Sequence, residues 1–179
     1  MEQRDLSKKK IIEEKAAEIR LLILDVDGVM TDGRVLLNEM GEEIKSFNIK
    51  DGYGLKMLIE TGVEVVIISG RTSKAVDRRA KDLGIQEIYQ GVADKERVCA
   101  QIIERKKLKK ANICCMGDDL PDLPLFHQSG ISVAVADAAP ELRHAATFVT
   151  KNGGGRGAVR ELCELILKAK KKWPWCVVT

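Results

Sequence analysis

Aromatic residues are scarce in this sequence, which has three Phe, two Tyr and two Trp among 179 residues. Lysine runs at 8–10, 106–110 and 170–172 are of a kind that can bind nucleic acid. Proteins that bind single strands interleave such charges with stacking aromatic rings, and that interleaving is absent here. The runs alternate with glutamates or flank aliphatic positions of predicted helices. We interpret them as solvated helix faces and expect no nucleic-acid partner.

Histidine is also scarce, and the five cysteines include no pair with CxxC spacing. His127 and His144 form no ligand pattern with any cysteine, which argues against a zinc site. Cys114 and Cys115 lie inside an apolar run typical of a buried strand. The odd, scattered set therefore predicts free structural thiols in a reducing compartment.

The sequence has no apolar run long enough to span a bilayer, and its charged beginning lacks the apolar core of a signal peptide. We expect a cytoplasmic protein without a membrane partner. The length suits one α/β domain, and we predict a single domain over residues 1–179, with a C-terminal tail at 170–179.

Short apolar runs alternate with helical patterns along most of the chain. Buried strands are predicted at 21–24, 63–68, 113–116 and 131–135, with a weaker one at 88–89. Helices are predicted at 7–19, 52–61, 73–83, 95–108 and 157–169. This alternation predicts an α/β fold, a Rossmann-like, doubly wound, mainly parallel sheet with helices on both faces. Residues 34–47 break the rhythm, and their alternating pattern predicts a β-hairpin.

Acidic or hydroxyl side chains follow three of the predicted strands. Asp25 and Asp27 follow the strand at 21–24, Ser69 follows the strand at 63–68, and Asp118 follows the strand at 113–116. Lys95 begins a predicted helix nearby. Ligands of open parallel sheets bind at the carboxyl ends of the strands. Each acid alone suits a helix cap or a turn, and this alternative stays open for Asp94, Asp119 and Asp122. The whole set would repel itself without a cation, and oxygen ligands predict Mg²⁺.

The Asp-x-Asp spacing then predicts phosphoryl transfer. Asp25 can attack phosphorus and form an aspartyl-phosphate, and Asp27 can serve as acid and base. Asp25, Asp118 and a backbone carbonyl can hold the metal. Ser69 and Lys95 can contact the phosphoryl oxygens.

Four segments resemble the motifs of haloacid dehalogenase superfamily phosphatases. They are DVDGVMT at 25–31, SGR at 69–71, Lys95, and GDD at 117–119. Further segments, including FNIKDGYGLKML, YQGVADK and GGGRGAVRE, resemble the 3-deoxy-D-manno-octulosonate 8-phosphate (KDO 8-phosphate) phosphatase family over roughly residues 19–168. The resemblance implies a Mg²⁺-dependent phosphomonoesterase of lipopolysaccharide sugar synthesis.

The resemblance also assigns roles to individual residues. It makes Asp25 the nucleophile and Asp27 the acid/base, places Mg²⁺ on Asp25, the Asp27 carbonyl and Asp118, and gives the phosphate to Ser69 and Lys95. The substrate contacts that it implies are Asn48, Lys50, Asp51, Gly52, Lys56, Arg71, Arg79 and Lys95. Lys50 and Lys56 depart from the family pattern, which has Arg there, and a lysine lacks the bidentate fork of Arg.

Phosphatases of this superfamily usually carry a cap domain, and neither gap between the motifs has room for one. The resemblance implies a homotetramer in which hairpins form a barrel and neighbouring subunits close each site. The glycine-rich loop at 153–157 can be a plain turn into the following helix. The hypothesis we prefer is that its Arg156 contacts a substrate carboxylate in the adjacent subunit. The two tryptophans near the C-terminus match no part of the family pattern, and docking on a neighbour is one open interpretation of them.

Three alternatives remain at this point. A nine-carbon, sialic-type 9-phosphate would suit the same chemistry, although Arg71 favours the eight-carbon substrate. A non-catalytic oligomerising module would not need the complete set of reacting groups. A signalling receiver domain would place its phosphate-accepting Asp on a middle strand, not after the first.

Overall fold

The computed structural model describes residues 2–173, and its main element is a parallel sheet of six strands in the order β5-β4-β1-β6-β7-β8. Each strand pairs in parallel with its neighbours. The strands are β1 (Leu21–Leu24), β4 (Glu64–Ile68), β5 (Glu87–Tyr89), β6 (Ile113–Gly117), β7 (Ile131–Ala134) and β8 (Phe148–Val149). The doubly wound parallel sheet predicted from the sequence is confirmed.

The central strands are apolar along their whole length because both faces of the sheet are covered. All residues of β1, β6 and β7 are buried. The chain builds β4 and β5 on one side of β1, and then returns to build β6, β7 and β8 on the other. The strand order therefore reverses between β1 and β6, which is where open α/β sheets form their binding crevice.

Within residues 2–173, seven α-helices accompany the sheet: α1 (Glu2–Ala17), α2 (Ile49–Glu60), α3 (Lys74–Leu83), α4 (Lys95–Lys106), α5 (Leu123–His127), α6 (Pro140–Ala145) and α7 (Ala158–Ala169). Helix α7 packs between α1 and α2, while α4 packs on α5 and α5 on α6. Gly84 ends α3 with a φ of 80°, as its sequence position predicts. Helices α5 and α6 and strand β8 were not predicted, because each is too short to show a periodic pattern.

The predicted hairpin over residues 34–47 is present as an antiparallel pair, β2 (Leu36–Leu37) and β3 (Glu43–Ile44). Its turn is closed by the Asn38 side-chain oxygen, which accepts the N–H groups of Met40 and Glu42, both at 2.9 Å. We call residues 34–47 the flap. It joins β1 to α2 and stands apart from the main sheet.

Helices α2 and α7 are joined by a buried carboxylate. Asp51 accepts the N–H of Arg160 at 2.7 Å and that of Gly157 at 3.3 Å. Gly157, at the N-cap position of α7, has a φ of 107° and no capping side chain of its own. Asp51 therefore supplies the N-terminal cap of α7 from another helix.

No helix within residues 2–173 combines the length and apolarity needed to cross a bilayer. The cysteines at 99, 114, 115 and 163 are buried free thiols, which confirms that prediction for the described residues. Of the two tryptophans near the C-terminus, Trp173 stacks on Arg160 of its own chain at 4.7 Å, and Trp175 lies outside the described residues.

Candidate active site

A cleft of about 310 Å³ opens at the carboxyl ends of β1, β4 and β6. Asp25 directly follows β1, Ser69 follows β4, Asp118 follows β6, and Lys95 is the first residue of α4. These side chains come together because parallel strands end at one edge of the sheet. The residues lining the cleft are Asp25, Asp27, Gly33, Ser69, Gly70, Arg71, Lys95, Asp118, Asp119, Pro121 and Asp122.

The floor of the cleft is a buried lysine between two carboxylates. Lys95 Nζ lies 2.7 Å from Asp25 Oδ1 and 2.6 Å from Asp122 Oδ1. The other oxygen of Asp122 accepts the N–H of Asp118 at 3.0 Å. Burial alone would lower the pKa of Lys95, but the charges of Asp25 and Asp122 outweigh it and raise the pKa. Lys95 is therefore held as a cation.

From the sequence alone, Asp122 could be either a helix cap or a residue of the site. The structure shows that it is almost fully buried and that it orients both Lys95 and Asp118. Its position four residues after Asp118 was the only available signal, and a capping residue has the same spacing.

The other carboxylates of the cluster repel one another. Burial and the neighbouring Asp122 raise the pKa of Asp25 to about 6, against the lowering effect of Lys95. Burial and the charges of Asp25 and Asp122 raise the pKa of Asp118 to about 7. One lysine is thus insufficient to neutralise the group.

A divalent cation fits this surplus of negative charge. Asp25, Asp118 and Asp122 each offer an oxygen, and the three oxygens lie within 4.8 Å of one another. Both oxygens of Asp122 already accept hydrogen bonds, which leaves Asp25 and Asp118 as the carboxylates best placed to bind the ion. An all-oxygen donor set is what Mg²⁺ prefers.

Gly28 allows Asp118 to approach the turn after β1. A side chain there would place its Cβ 2.0 Å from Asp118 Oδ2, and the φ of Gly28 is 87°. Only glycine satisfies both requirements without strain.

Asp27 lies at the rim of the cleft and contacts the flap. Its Oδ1 accepts a short hydrogen bond from Lys45 Nζ, and its Oδ2 lies 3.9 Å from Arg71 Nε. Arg71 also donates to Glu43 Oε1 at 2.9 Å. Sequence reasoning missed Lys45 because nothing in the pattern of the flap distinguishes it from a solvated lysine.

Ser69, at the end of β4, is almost fully buried beside β1. Its backbone N–H donates to the Tyr89 carbonyl at 2.8 Å, and its hydroxyl oxygen accepts the N–H of Arg71 at 3.3 Å. The backbone of β5 therefore fixes this residue, and the hydroxyl keeps its proton to donate.

Most of the predicted substrate contacts lie at the start of α2, outside the lining of the cleft in this chain. Asn48 caps α2, and Asp51 caps α7 as described above. Arg79 donates to the Asn48 carbonyl at 3.2 Å and crosses Gly52 so closely that a Cβ there would lie 2.1 Å from its guanidinium. Lys50 and Lys56 are exposed on α2. The geometry brings Asp25, Asp27, Ser69, Arg71, Lys95 and Asp118 together, and it does not bring this second group to the cleft.

The glycine-rich loop at 153–157 packs on the turn that follows β1. Gly155 N–H donates to the Val29 carbonyl at 2.9 Å, and a Cβ on Gly154 would lie 1.8 Å from the Gly28 carbonyl oxygen. The Arg156 side chain is 62% exposed, and its Nη2 lies 3.9 Å from Asp32 Oδ2. The glycines thus allow the backbone of the loop to contact the backbone of the turn after β1, and Arg156 remains at the surface.

Comparisons with known proteins agree on one group of relatives. A family model described as haloacid dehalogenase-like hydrolase matches residues 84–162. A curated 3-deoxy-D-manno-octulosonate 8-phosphate phosphatase from Yersinia pestis is 48% identical over 159 residues, which is 89% of this chain and 85% of the relative.

Two solved structures extend the likeness to the fold. The Yersinia pestis phosphatase structure has a TM-score of 0.88 at 48% identity, covering 90% of this chain and 87% of the other. The Moraxella catarrhalis phosphatase was solved with magnesium, phosphate and a KDO molecule. It has a TM-score of 0.89 at 40% identity, covering 92% and 94% of the two chains.

Proposed function

Since this chain belongs to the 3-deoxy-D-manno-octulosonate 8-phosphate phosphatases of the haloacid dehalogenase-like hydrolases, we propose that it releases phosphate from that sugar acid with Mg²⁺ as cofactor. The observation that carries the proposal is the buried group at the reversal of strand order. There Lys95 binds Asp25 and Asp122, and Asp122 holds the backbone of Asp118. A structural ion pair would not need a third and unpaired carboxylate.

In the proposed mechanism, Asp25 attacks phosphorus. Lys95 holds one carboxylate oxygen of Asp25, which leaves the other for the attack. The bond between phosphorus and the sugar oxygen breaks, and Asp27 donates a proton to the departing alkoxide. A water then attacks the aspartyl-phosphate, and Asp27 takes a proton from that water while the carboxylate of Asp25 is released. When bound, Mg²⁺ neutralises the negative charge shared by Asp25, Asp118 and the phosphate.

Ser69 and Lys95 are suited to hold the transferring group. The hydroxyl of Ser69 has a proton to donate, and the ammonium of Lys95 stays charged in its buried position. Both groups are fixed before substrate arrives, which is the condition for stabilising charge that develops in the transition state.

The length of the sugar acid is the second part of the proposal. Arg71 lines the cleft with its side chain about half exposed, so its guanidinium can meet a substrate carboxylate. Because eight- and nine-carbon sugar acids share this carboxylate, the length rests on the 48% identical Yersinia pestis relative, whose name specifies the octulosonate 8-phosphate. We propose the eight-carbon substrate on that basis. A nine-carbon 9-phosphate is the alternative, because Lys50 and Lys56 stand where the family pattern has Arg.

Phosphate release from a panel of phosphorylated sugar acids tests the proposal. We expect turnover of the eight-carbon 8-phosphate at least about 10-fold above the nine-carbon 9-phosphate, a ratio of the size that pocket contacts provide. Activity should disappear in chelator and return with Mg²⁺. Preference for the nine-carbon ester would contradict the assigned substrate but not the mechanism, whereas no turnover of any ester would favour the non-catalytic module.

We also propose that the flap forms part of an interface between copies of this chain, as the predicted homotetramer requires. Its apolar side chains point outward: Leu37 is 64% and Met40 is 87% exposed, and Val35, Leu36, Ile44 and Ile49 are exposed nearby. A patch of this kind on a small protein indicates a binding surface. The tetramer, the reach of Arg156 into a neighbouring site and the cytoplasmic location stay predictions.

Charged substitutions on the flap should disperse the assembly. The double substitution Leu37→Glu and Met40→Glu is expected to shift the protein from tetramer to smaller species, measured by sedimentation at matched concentration. The reason is that two buried carboxylates without partners cost several kcal/mol at an interface. Glu39→Gln, on the same turn, is the control and should leave the assembly intact. A double variant that sediments like the natural protein would contradict the proposed interface.

A further inference from the structure

Lys45 has an unusual position for a flap residue. Ile44 and Ser46 on either side of it are exposed, yet the side chain of Lys45 is only 2% exposed. Its ammonium turns inward to the rim of the cleft, where it binds Asp27 Oδ1 and lies 3.1 Å from Glu43 Oε1.

Burial of the Lys45 ammonium costs free energy, and a lysine that only kept the surface soluble would stay in contact with water. An ammonium loses its hydration when it is buried, and only charged partners offset that loss. Lys45 has two carboxylate partners, and one of them is Asp27, the proposed acid/base. The flap therefore directs a charge onto the group that must exchange protons with substrate and water.

Lys45 and Arg71 flank the carboxylate of Asp27 on its two oxygens, and Glu43 links the two cations on their far side. These four side chains alternate in charge. Asp27 is held between them and is still 25% exposed to the cleft. Without Lys45, Asp27 would keep only the 3.9 Å contact of its Oδ2 with Arg71 Nε. Lys45 has no contact with the Asp25–Lys95–Asp122 group, which its removal would leave in place.

We propose that Lys45 is a positioning residue for Asp27, which makes the flap a working part of the active site. By binding one oxygen of the carboxylate, Lys45 fixes the rotamer in which Asp27 faces the oxygen of the leaving group. The inference rests on the proposed function, since it assumes that Asp27 is the acid/base.

Leaving groups of different basicity test this role. An alkyl ester such as the sugar-acid phosphate needs a proton on its departing oxygen, whereas p-nitrophenyl phosphate releases a stable phenolate without one. For Lys45→Met we expect kcat/KM on the sugar-acid phosphate to fall about 30- to 100-fold. This is at or below the lower end of the roughly 10²- to 10⁴-fold that general acid catalysis contributes, because a misplaced Asp27 keeps part of its effect. On the aryl ester it should change less than about threefold. Lys45→Arg, which keeps the charge, should recover most of the loss.

Lys106→Met is the matched control. Lys106 is also a mostly buried lysine between two carboxylates, Glu64 and Glu87, but it lies on α4 away from the cleft. This variant should show a comparable drop in melting temperature and equal, small effects on both esters.

The outcomes separate this inference from the proposed function. Equal loss on both esters in Lys45→Met, or a raised KM with unchanged kcat, would overturn the positioning role and leave the phosphatase intact. A natural enzyme that cleaves neither ester would overturn both.

Discussion

Replacing Asp25 by Asn is expected to lower kcat of the phosphatase by at least about 10⁴-fold, since loss of the nucleophile of a serine protease costs about 10⁶-fold. The amide keeps the shape of the side chain and can still accept a hydrogen bond from Lys95. It cannot attack phosphorus, because its nitrogen lone pair is delocalised and its oxygen carries no full charge. Rapid acid quenching followed by mass spectrometry should show a phosphorylated peptide containing Asp25 in the natural enzyme alone.

The loss in Asp25→Asn should not come from unfolding. Burial and Asp122 already raise the pKa of Asp25 to about 6, so its charge is unfavourable in the metal-free protein at neutral pH. The variant is therefore expected to melt no lower than the natural protein in chelator. Asp82→Asn, on the exposed face of α3, is the matched control and should retain full activity. Residual activity above a few per cent in Asp25→Asn would assign the nucleophile to another residue.

Stability in chelator should fall as pH rises from 5 to 8, and Mg²⁺ should reverse the fall. The ordinary pKa of these carboxyls is 3.8, and folding raises it to about 6 at Asp25 and about 7 at Asp118. In this window the folded protein binds more protons than the unfolded chain, so the free energy of unfolding decreases with pH. Above pH 7 both groups are charged and repel each other. A cation therefore binds Asp25 and Asp118 best above pH 7.

The size of the Mg²⁺ effect follows from mass action. A ligand at 100 times its Kd stabilises the folded state by about 2.7 kcal/mol, which raises the melting temperature of a chain of this size by about 5–11 °C. We expect a shift of that size at pH 8 and a much smaller one at pH 5, measured by calorimetry with and without chelator. Asp118→Asn should reduce both the pH dependence and the shift. A shift that is equal at both pH values would place the metal elsewhere.

The sequence predicted those parts of the fold and the site in which burial or backbone geometry restricts which residue types can occur. The runs at 21–24 and 113–116 are apolar throughout because they are strands covered on both faces, and Asp25, Ser69 and Asp118 follow from where parallel strands end. Contacts between a side chain and a segment far away in the sequence leave no local pattern from which they could be predicted. Asp51 reads as a polar residue in the first turn of α2, yet its carboxylate caps α7. Lys45 reads as solvated because its partner lies 18 residues earlier in the chain.

The glycine-rich loop and the cap of α7 determine when the site can form during synthesis. Asn48 contacts the Gly155 carbonyl across 107 residues of chain, and Asp51 contacts Arg160 across 109. The turn after β1 is made early by the ribosome, but the backbone that supports it follows 107 residues after Asn48 and 109 residues after Asp51. Contacts this distant in sequence are slow to form. A nascent chain that ends soon after Asp118 thus carries the reacting groups without this support, and we expect phosphatase activity only once α7 has docked.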